Sequence, residues 1–131
     1  MTTFQKLNLK EQSEIFIFNA PKSFEKEIAS LKGVIVKRSW KEVRKLHFAL
    51  VFATLQTEVD AAAERIARLA EGDAVIWFAY PKGTSKRYAC DFNRDTGWNR
   101  IKAEGFVTVR AVAIDEDWSG LRFRRREFVK K

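Results

Sequence analysis

The stretch that decides the fold runs from His47 to Pro81. His47-Phe48-Ala49-Leu50-Val51-Phe52-Ala53-Thr54 reads as a buried strand, and so does Ala74-Val75-Ile76-Trp77-Phe78-Ala79-Tyr80, stopped by Pro81. Between them Val59, Ala62, Ala63, Ile66, Leu69 and Ala70 recur at helical spacing, while Glu58, Glu64, Arg65 and Arg68 lie off that stripe. Thr57 stands in N-cap position with Asp60 three residues on, and Glu64 with Arg68 makes an i,i+4 pair. The alanines on the apolar stripe permit close packing on a sheet. Strand, helix and strand in this order predict a parallel pair with a helical crossover.

Working outward, Ile15-Phe16-Ile17-Phe18 predicts a first buried strand. Ser23 is placed to cap the helix that follows, with Glu25 and Glu27 favouring its positive end. Gly33 ends that helix, and Val34-Ile35-Val36 gives a short second strand. The link from Ser39 to Leu46 is shorter than the roughly dozen residues of an ordinary parallel crossover. Downstream, a short helix is expected from about Asp95 to Glu104, ended by Gly105. Val107 to Ile114 and Leu121 to Phe128 then read as an antiparallel hairpin turning through Asp115-Glu116-Asp117-Trp118-Ser119-Gly120. The expected fold is an α/β, three-layer, Rossmann-like domain with a mostly parallel sheet of about six strands and about three helices. The predicted strand order is 2-1-3-4-6-5, with the last strand antiparallel. Residues 1–131 make one domain: an arm over 1–13, an α/β core over 14–106 and the hairpin over 107–131.

Composition narrows the function classes. At 131 residues, 46% apolar and 32% charged, with two prolines, the chain is neither a disordered tail nor a collagen-like fibre. A single cysteine excludes an internal disulfide framework and a multi-cysteine zinc site, and a single histidine leaves little for metal chemistry. No metal and no cofactor are expected. No apolar run approaches the roughly 20 residues of a membrane span, and no signal sequence is read at the amino terminus. A lone thiol then points to a reducing compartment, the cytoplasm.

Two motifs carry a family resemblance. Ala74-Val75-Ile76-Trp77-Phe78-Ala79-Tyr80-Pro81-Lys82 and Asp117-Trp118-Ser119-Gly120-Leu121-Arg122-Phe123 resemble a small bacterial family known as a domain of unknown function, number three thousand and fifty-two. The resemblance runs from about Ile15 to the end and implies a bacterial single-domain protein without an assigned activity. The element order also resembles class I methyltransferases, which implies S-adenosylmethionine as a cofactor. The residues depart from that pattern. Asn19-Ala20-Pro21-Lys22-Ser23 holds no glycine where a glycine-rich loop is expected. Lys37 and Arg38 stand where an acid would hold the ribose, and Thr54-Leu55-Gln56 replaces an Asn-Pro-Pro-Tyr-like motif.

Two candidate sites remain. Pro81-Lys82-Gly83-Thr84-Ser85-Lys86-Arg87 leaves the carboxyl end of a central strand, where open α/β sheets bind ligands, and offers cations and hydroxyls to an anion. Asn19, Lys22 and Ser23 are expected on the same edge. Lys82, Gly83, Thr84, Ser85, Lys86 and Arg87 are therefore either an anion site for a nucleotide or phosphate-bearing molecule, or a solvated loop. The net charge of +8 also allows nucleic acid as a partner. Strand alternation places Arg122, Arg124 and Arg126 on one face, with Arg110 on the neighbouring strand. Three helices cannot cover both faces of six strands, and the arginine-bearing face of the hairpin is the part expected to stay open. That row either meets phosphates, pairs with Asp115, Glu116, Asp117 or Glu127, or lies under residues before Glu14. A symmetric dimer through it would oppose arginines, so a monomer is expected. Cys90, His47 and Asp91 fail as a nucleophilic triad, because His47 and Cys90 fall at opposite sheet edges. A non-catalytic binding module is the leading expectation. A nucleic-acid-binding protein and a divergent S-adenosylmethionine-dependent methyltransferase are the alternatives.

Overall fold

Strands apolar on both sides can bury their side chains only inside a sheet covered on two faces. In the computed structural model, which describes residues 2–129, six strands form one sheet in the order β2-β1-β3-β4-β6-β5. They are β1 (Glu14–Phe18), β2 (Ile35–Lys37), β3 (Leu46–Phe52), β4 (Ala70–Pro81), β5 (Phe106–Ala113) and β6 (Trp118–Arg125). Strands β1 to β4 are parallel, and β6 runs antiparallel to both β4 and β5. The predicted fold class and strand order are thus observed. Met1 of the arm and Lys130 and Lys131 of the hairpin lie outside the described residues.

Alternation divides the core in two. On one face α3 (Gln56–Leu69) and α4 (Asn99–Ala103) bury Val59, Ala63, Ile66 and Ile101 against Phe16, Val51, Ile76, Phe78, Leu121 and Phe123. On the other, α1 (Thr3–Lys6) and α2 (Glu25–Ala29), with the segments beside them, bring Phe4, Leu7, Phe24 and Ile28 onto Ile17, Leu50, Phe52, Val75 and Trp77.

Trp77 sits at the middle of β4 with no exposed surface. Its indole Nε1 donates to the carbonyl of Leu7 at 2.7 Å, so the amino-terminal segment closes over the ring. Beneath the ring lies Gly120 of β6, where a Cβ would stand 3.2 Å from the indole Cε3. The absence of a side chain at Gly120 is what lets the indole lie across β6.

Several local details differ from the sequence reading. Ser23 does not cap a helix: a 3-10 turn over Lys22–Phe24 leads into α2, and neither start carries a side-chain cap. At α3 the cap is not Thr57. The Glu58 carboxylate accepts from the backbone amides of Thr54 and Leu55 at 2.9 and 3.0 Å, and Asp91 Oδ1 accepts from Gln56 N at 2.7 Å. The helix expected from about Asp95 forms only over Asn99–Ala103. The short link between β2 and β3 needs no full helix. It makes a 3-10 turn over Trp40–Glu42, and Trp40 packs on Phe16 and Phe18 with ring centroids 4.5 and 5.4 Å apart. Strand β4 starts at Ala70, ahead of its apolar run. Leu46 pairs with Ala70 but Phe48 with Val75, an irregularity that holds Gly72 at φ 60°. Strand β6 ends at Arg125, because the amide of Arg126 turns away to the carbonyl of Gly105.

Trp77→Phe removes the donor for the Leu7 carbonyl and part of the ring. It is expected to cost about 2–3 kcal/mol in urea unfolding. Gly120→Ala is expected to cost about 1–3 kcal/mol by overpacking against the same indole.

Candidate functional site

The loop after β4 is folded by a few polar contacts. The amide of Lys82 donates to the carbonyl of Asp117 at 2.8 Å, tying the loop to the hairpin turn. Ser85 Oγ donates to Asp117 Oδ1 at 2.9 Å and accepts from the amides of Arg87 and Tyr88 at 3.3 and 3.2 Å. Asp115 Oδ1 in turn accepts from the amides of Asp117 and Trp118 and shapes the turn itself. Trp118 is buried between Phe52 and Tyr88, with ring centroids 5.1 and 4.9 Å away.

These contacts leave a groove of about 700 Å³ at the carboxyl end of β4. Tyr80, Tyr88 and Phe92 supply aromatic walls, Lys82 and Arg94 supply cations, and Gly83, Thr84 and Ser85 line one side. Arg94 also faces its neighbour Asp95 at 3.7 Å, in a pair open to solvent. Burial raises the Tyr80 phenol above its ordinary pKa, so it stays a neutral donor at physiological pH. Burial likewise raises the Cys90 thiol, which donates to the carbonyl of Phe92 at 3.0 Å. A thiol held protonated is a poor nucleophile.

Only part of the predicted constellation converges here. Lys82, Gly83, Thr84 and Ser85 line the groove, although the Ser85 hydroxyl is committed to the loop's own bonds. Ser23 and Arg87 meet instead in a separate cleft of about 220 Å³, which Glu27, Asp115, Glu116 and Asp117 make acidic. Lys22 and Lys86 belong to neither lining. Tyr88, Phe92 and Arg94 also line the groove and lie beyond the stretch from Pro81 to Arg87 that the sequence singles out. Residue type gave no signal for Tyr88 and Phe92, which read as ordinary core aromatics until the loop's path is known.

Asn19 takes no part in the groove. With φ 63° it makes the turn after β1, and its Nδ2 donates to Glu58 Oε2 at 3.0 Å. Glu58 therefore bridges the carboxyl ends of β1 and β3, the point where the sheet's connectivity reverses and open α/β sheets usually take ligands. Next to it Arg38, at the end of β2, pairs with Glu25 of α2 through two nitrogens. That pairing lowers the Glu25 carboxyl below its ordinary pKa. His47 lies at the opposite edge, in a groove shared with Glu14 and Asp73, as the failed triad required. Among the described residues no three His, Cys, Asp or Glu side chains gather as a metal site, and no helix is long and apolar enough to cross a membrane.

The arginine row is partly dissolved. Arg126 lies in a 3-10 turn over Arg126–Phe128 and leaves the strand pattern. Arg124 is held by Asp73, Nε to Oδ1 at 2.9 Å and Nη2 to Oδ2 at 2.6 Å. The partner is thus none of the four acids named from the sequence. Arg110 and Arg122 remain, as register partners on β5 and β6.

No family model matches the chain, and no curated protein matches its sequence. Solved structures do resemble it. A SAM-dependent methyltransferase from Aquifex aeolicus aligns with a TM-score of 0.60 at 14% identity, over 92% of this chain and 86% of that one. The Haemonchus contortus phosphoethanolamine N-methyltransferase 2 aligns with a TM-score of 0.62 at 10% identity, and this chain spans 37% of its length. The fibrillarin pre-rRNA processing protein of Methanococcus jannaschii gives 0.57 at 9% identity, over 88% of this chain and 67% of that one. The fold is that of the Rossmann-like methyltransferases. At these identities the likeness reaches no further than the fold.

The Asp73–Arg124 pair sets a pH dependence. The hydrogen bond from Arg124, assisted by its charge, lowers the Asp73 pKa although burial opposes it. Its stabilisation is complete above the unfolded Asp value of about 3.9 and lost as pH falls through the lower folded value. Asp73→Asn is expected to cost up to about 1 kcal/mol at neutral pH, as for a partly exposed pair, and to lose less stability than the parent on acidification. Urea titrations at neutral and acid pH measure both effects.

Proposed function

We propose that the chain is a non-catalytic module that binds a nucleotide or another phosphate-bearing small molecule in the groove at the carboxyl end of β4. The observation that carries the reading is the groove's composition: aromatic walls from Tyr80, Tyr88 and Phe92 beside Lys82 and Arg94. Aromatic surfaces take a base by stacking, and the two cations meet its phosphate. Asp117 positions the loop and is not itself a ligand contact. The non-catalytic part rests on the protonated Cys90 thiol and on the separation of His47 from this edge.

The methyltransferase-like fold favours a second reading, a divergent S-adenosylmethionine-dependent enzyme. Against it stand the Glu58 bridge and the Arg38–Glu25 pair at the ends of β1, β2 and β3. An acid that would accept from ribose hydroxyls is replaced there by a guanidinium, which only donates. We also propose that the chain belongs to the bacterial family of unknown function that its two motifs resemble. Those motifs form the paired strands β4 and β6, so the resemblance falls on one structural unit. A bacterial cytoplasmic monomer is part of this proposal.

Calorimetry with adenosine monophosphate and with pyrophosphate tests the groove. Lys82→Ala with Arg94→Ala is expected to weaken binding about tenfold or more, the loss of one to two charge-assisted contacts. Lys86→Ala is expected to leave it unchanged. Equal affinity in the double variant and the parent overturns the assignment.

A further inference from the structure

Trp77, Arg122 and Arg110 are register partners across β4, β6 and β5, so all three side chains leave the sheet on the same face. This is the face of Leu7 and α1, opposite the one that carries α3. Arg122 rises beside the buried indole. Its Nε is buried and meets no acceptor within the described residues. Arg110 is exposed and has no ion pair among them. The acid closest to the row in effect, Asp73, gives both oxygens to Arg124.

Two guanidinium groups set directly opposite each other repel. Burial disfavours the charged form of Arg122, and the charges of Arg124 and Arg110 add to that against Asp73. An arginine kept half-buried, next to a second one and without its own carboxylate, is an arrangement that a bound anion stabilises. The rigid fork of a guanidinium suits a tetrahedral oxyanion offering several oxygens.

We propose that Arg110 and Arg122 form a phosphate-binding pair on the open face of the β5–β6 hairpin, independent of the groove beyond β4. The phosphate comes either as a free ion or monoester, or as a phosphodiester in single-stranded nucleic acid.

The side-chain Nε–Hε signals of the full-length, 15N-labelled protein report on the pair. They are followed during titration with inorganic phosphate and, separately, with a short oligothymidylate. The expected result is a saturable movement of the Arg122 signal, with affinity weakened about tenfold in Arg110→Gln. Lys82→Ala is expected to leave this response intact, so this site and the groove fail separately. Movement with inorganic phosphate at comparable strength assigns a free phosphate. A response to oligothymidylate alone, falling steeply with added salt, assigns the phosphodiester backbone. An Arg122 signal that neither probe moves, or equal affinity in Arg110→Gln, overturns the proposal. Arg110 is exposed on its strand, so this variant keeps the fold that Arg122→Gln puts at risk.

Discussion

The indole of Trp77 is the point on which the two ends of the chain are fastened. Its N–H donates to the carbonyl of Leu7 in the amino-terminal segment, and the ring lies on the bare backbone of Gly120 in β6. Strand β4 has β3 on one side and the antiparallel β6 on the other, so the ring also marks the seam between the parallel sheet and the hairpin. A buried N–H needs an acceptor, and Leu7 provides it only when the arm is folded over the sheet. The arm is therefore a structural part of the domain, and its Phe4 and Leu7 give the middle of the sheet around Trp77 an apolar cover.

That arrangement has a consequence for function. The architecture is shared with S-adenosylmethionine-dependent enzymes, but the crevice between β1 and β3 is spanned by Glu58, which joins Asn19 to the amides of Thr54 and Leu55. The same carboxylate that starts α3 thus stands at the switch point of the sheet, its oxygens committed to Asn19 and to the Thr54 and Leu55 amides. Arg38 and Glu25 close the neighbouring strand end. The open space at the carboxyl edge lies instead beyond β4, along the long loop from Lys82 to Trp98. Fold and binding site are separable, and the proposed groove lies away from that crevice.

The sheet was legible because apolar runs, a helical stripe and a closing hairpin leave few ways to bury both faces. The order of all six strands followed from this. Caps and ends were not legible, since they depend on tertiary partners. Glu58 and Asp91 displaced Thr57 at the start of α3, and a 3-10 turn displaced the cap at Ser23. The pairing of Arg124 was hidden because Asp73 lies in a polar extension of β4, bulged at Gly72, that no apolar pattern announces. Arg126 was misplaced by carrying strand parity past Arg125, where the backbone turns toward Gly105. In the groove, Lys82 to Ser85 were legible as the loop after a central strand. The aromatic walls were not, because Tyr88 and Phe92 look like ordinary core residues until the loop's path is known.

The side chains of Asn19, Glu58, Arg38 and Glu25 bond to one another and to the backbone across the ends of β1, β2 and β3, which leaves S-adenosylmethionine no free partner there. Backbone amide spectra of the labelled protein, titrated with S-adenosylmethionine to millimolar concentration, test it most directly. No saturable shift is expected at Asn19, Arg38, Thr54 or Leu55. Saturable shifts clustered at those four residues would contradict it, and would return the crevice to the role that its fold suggests.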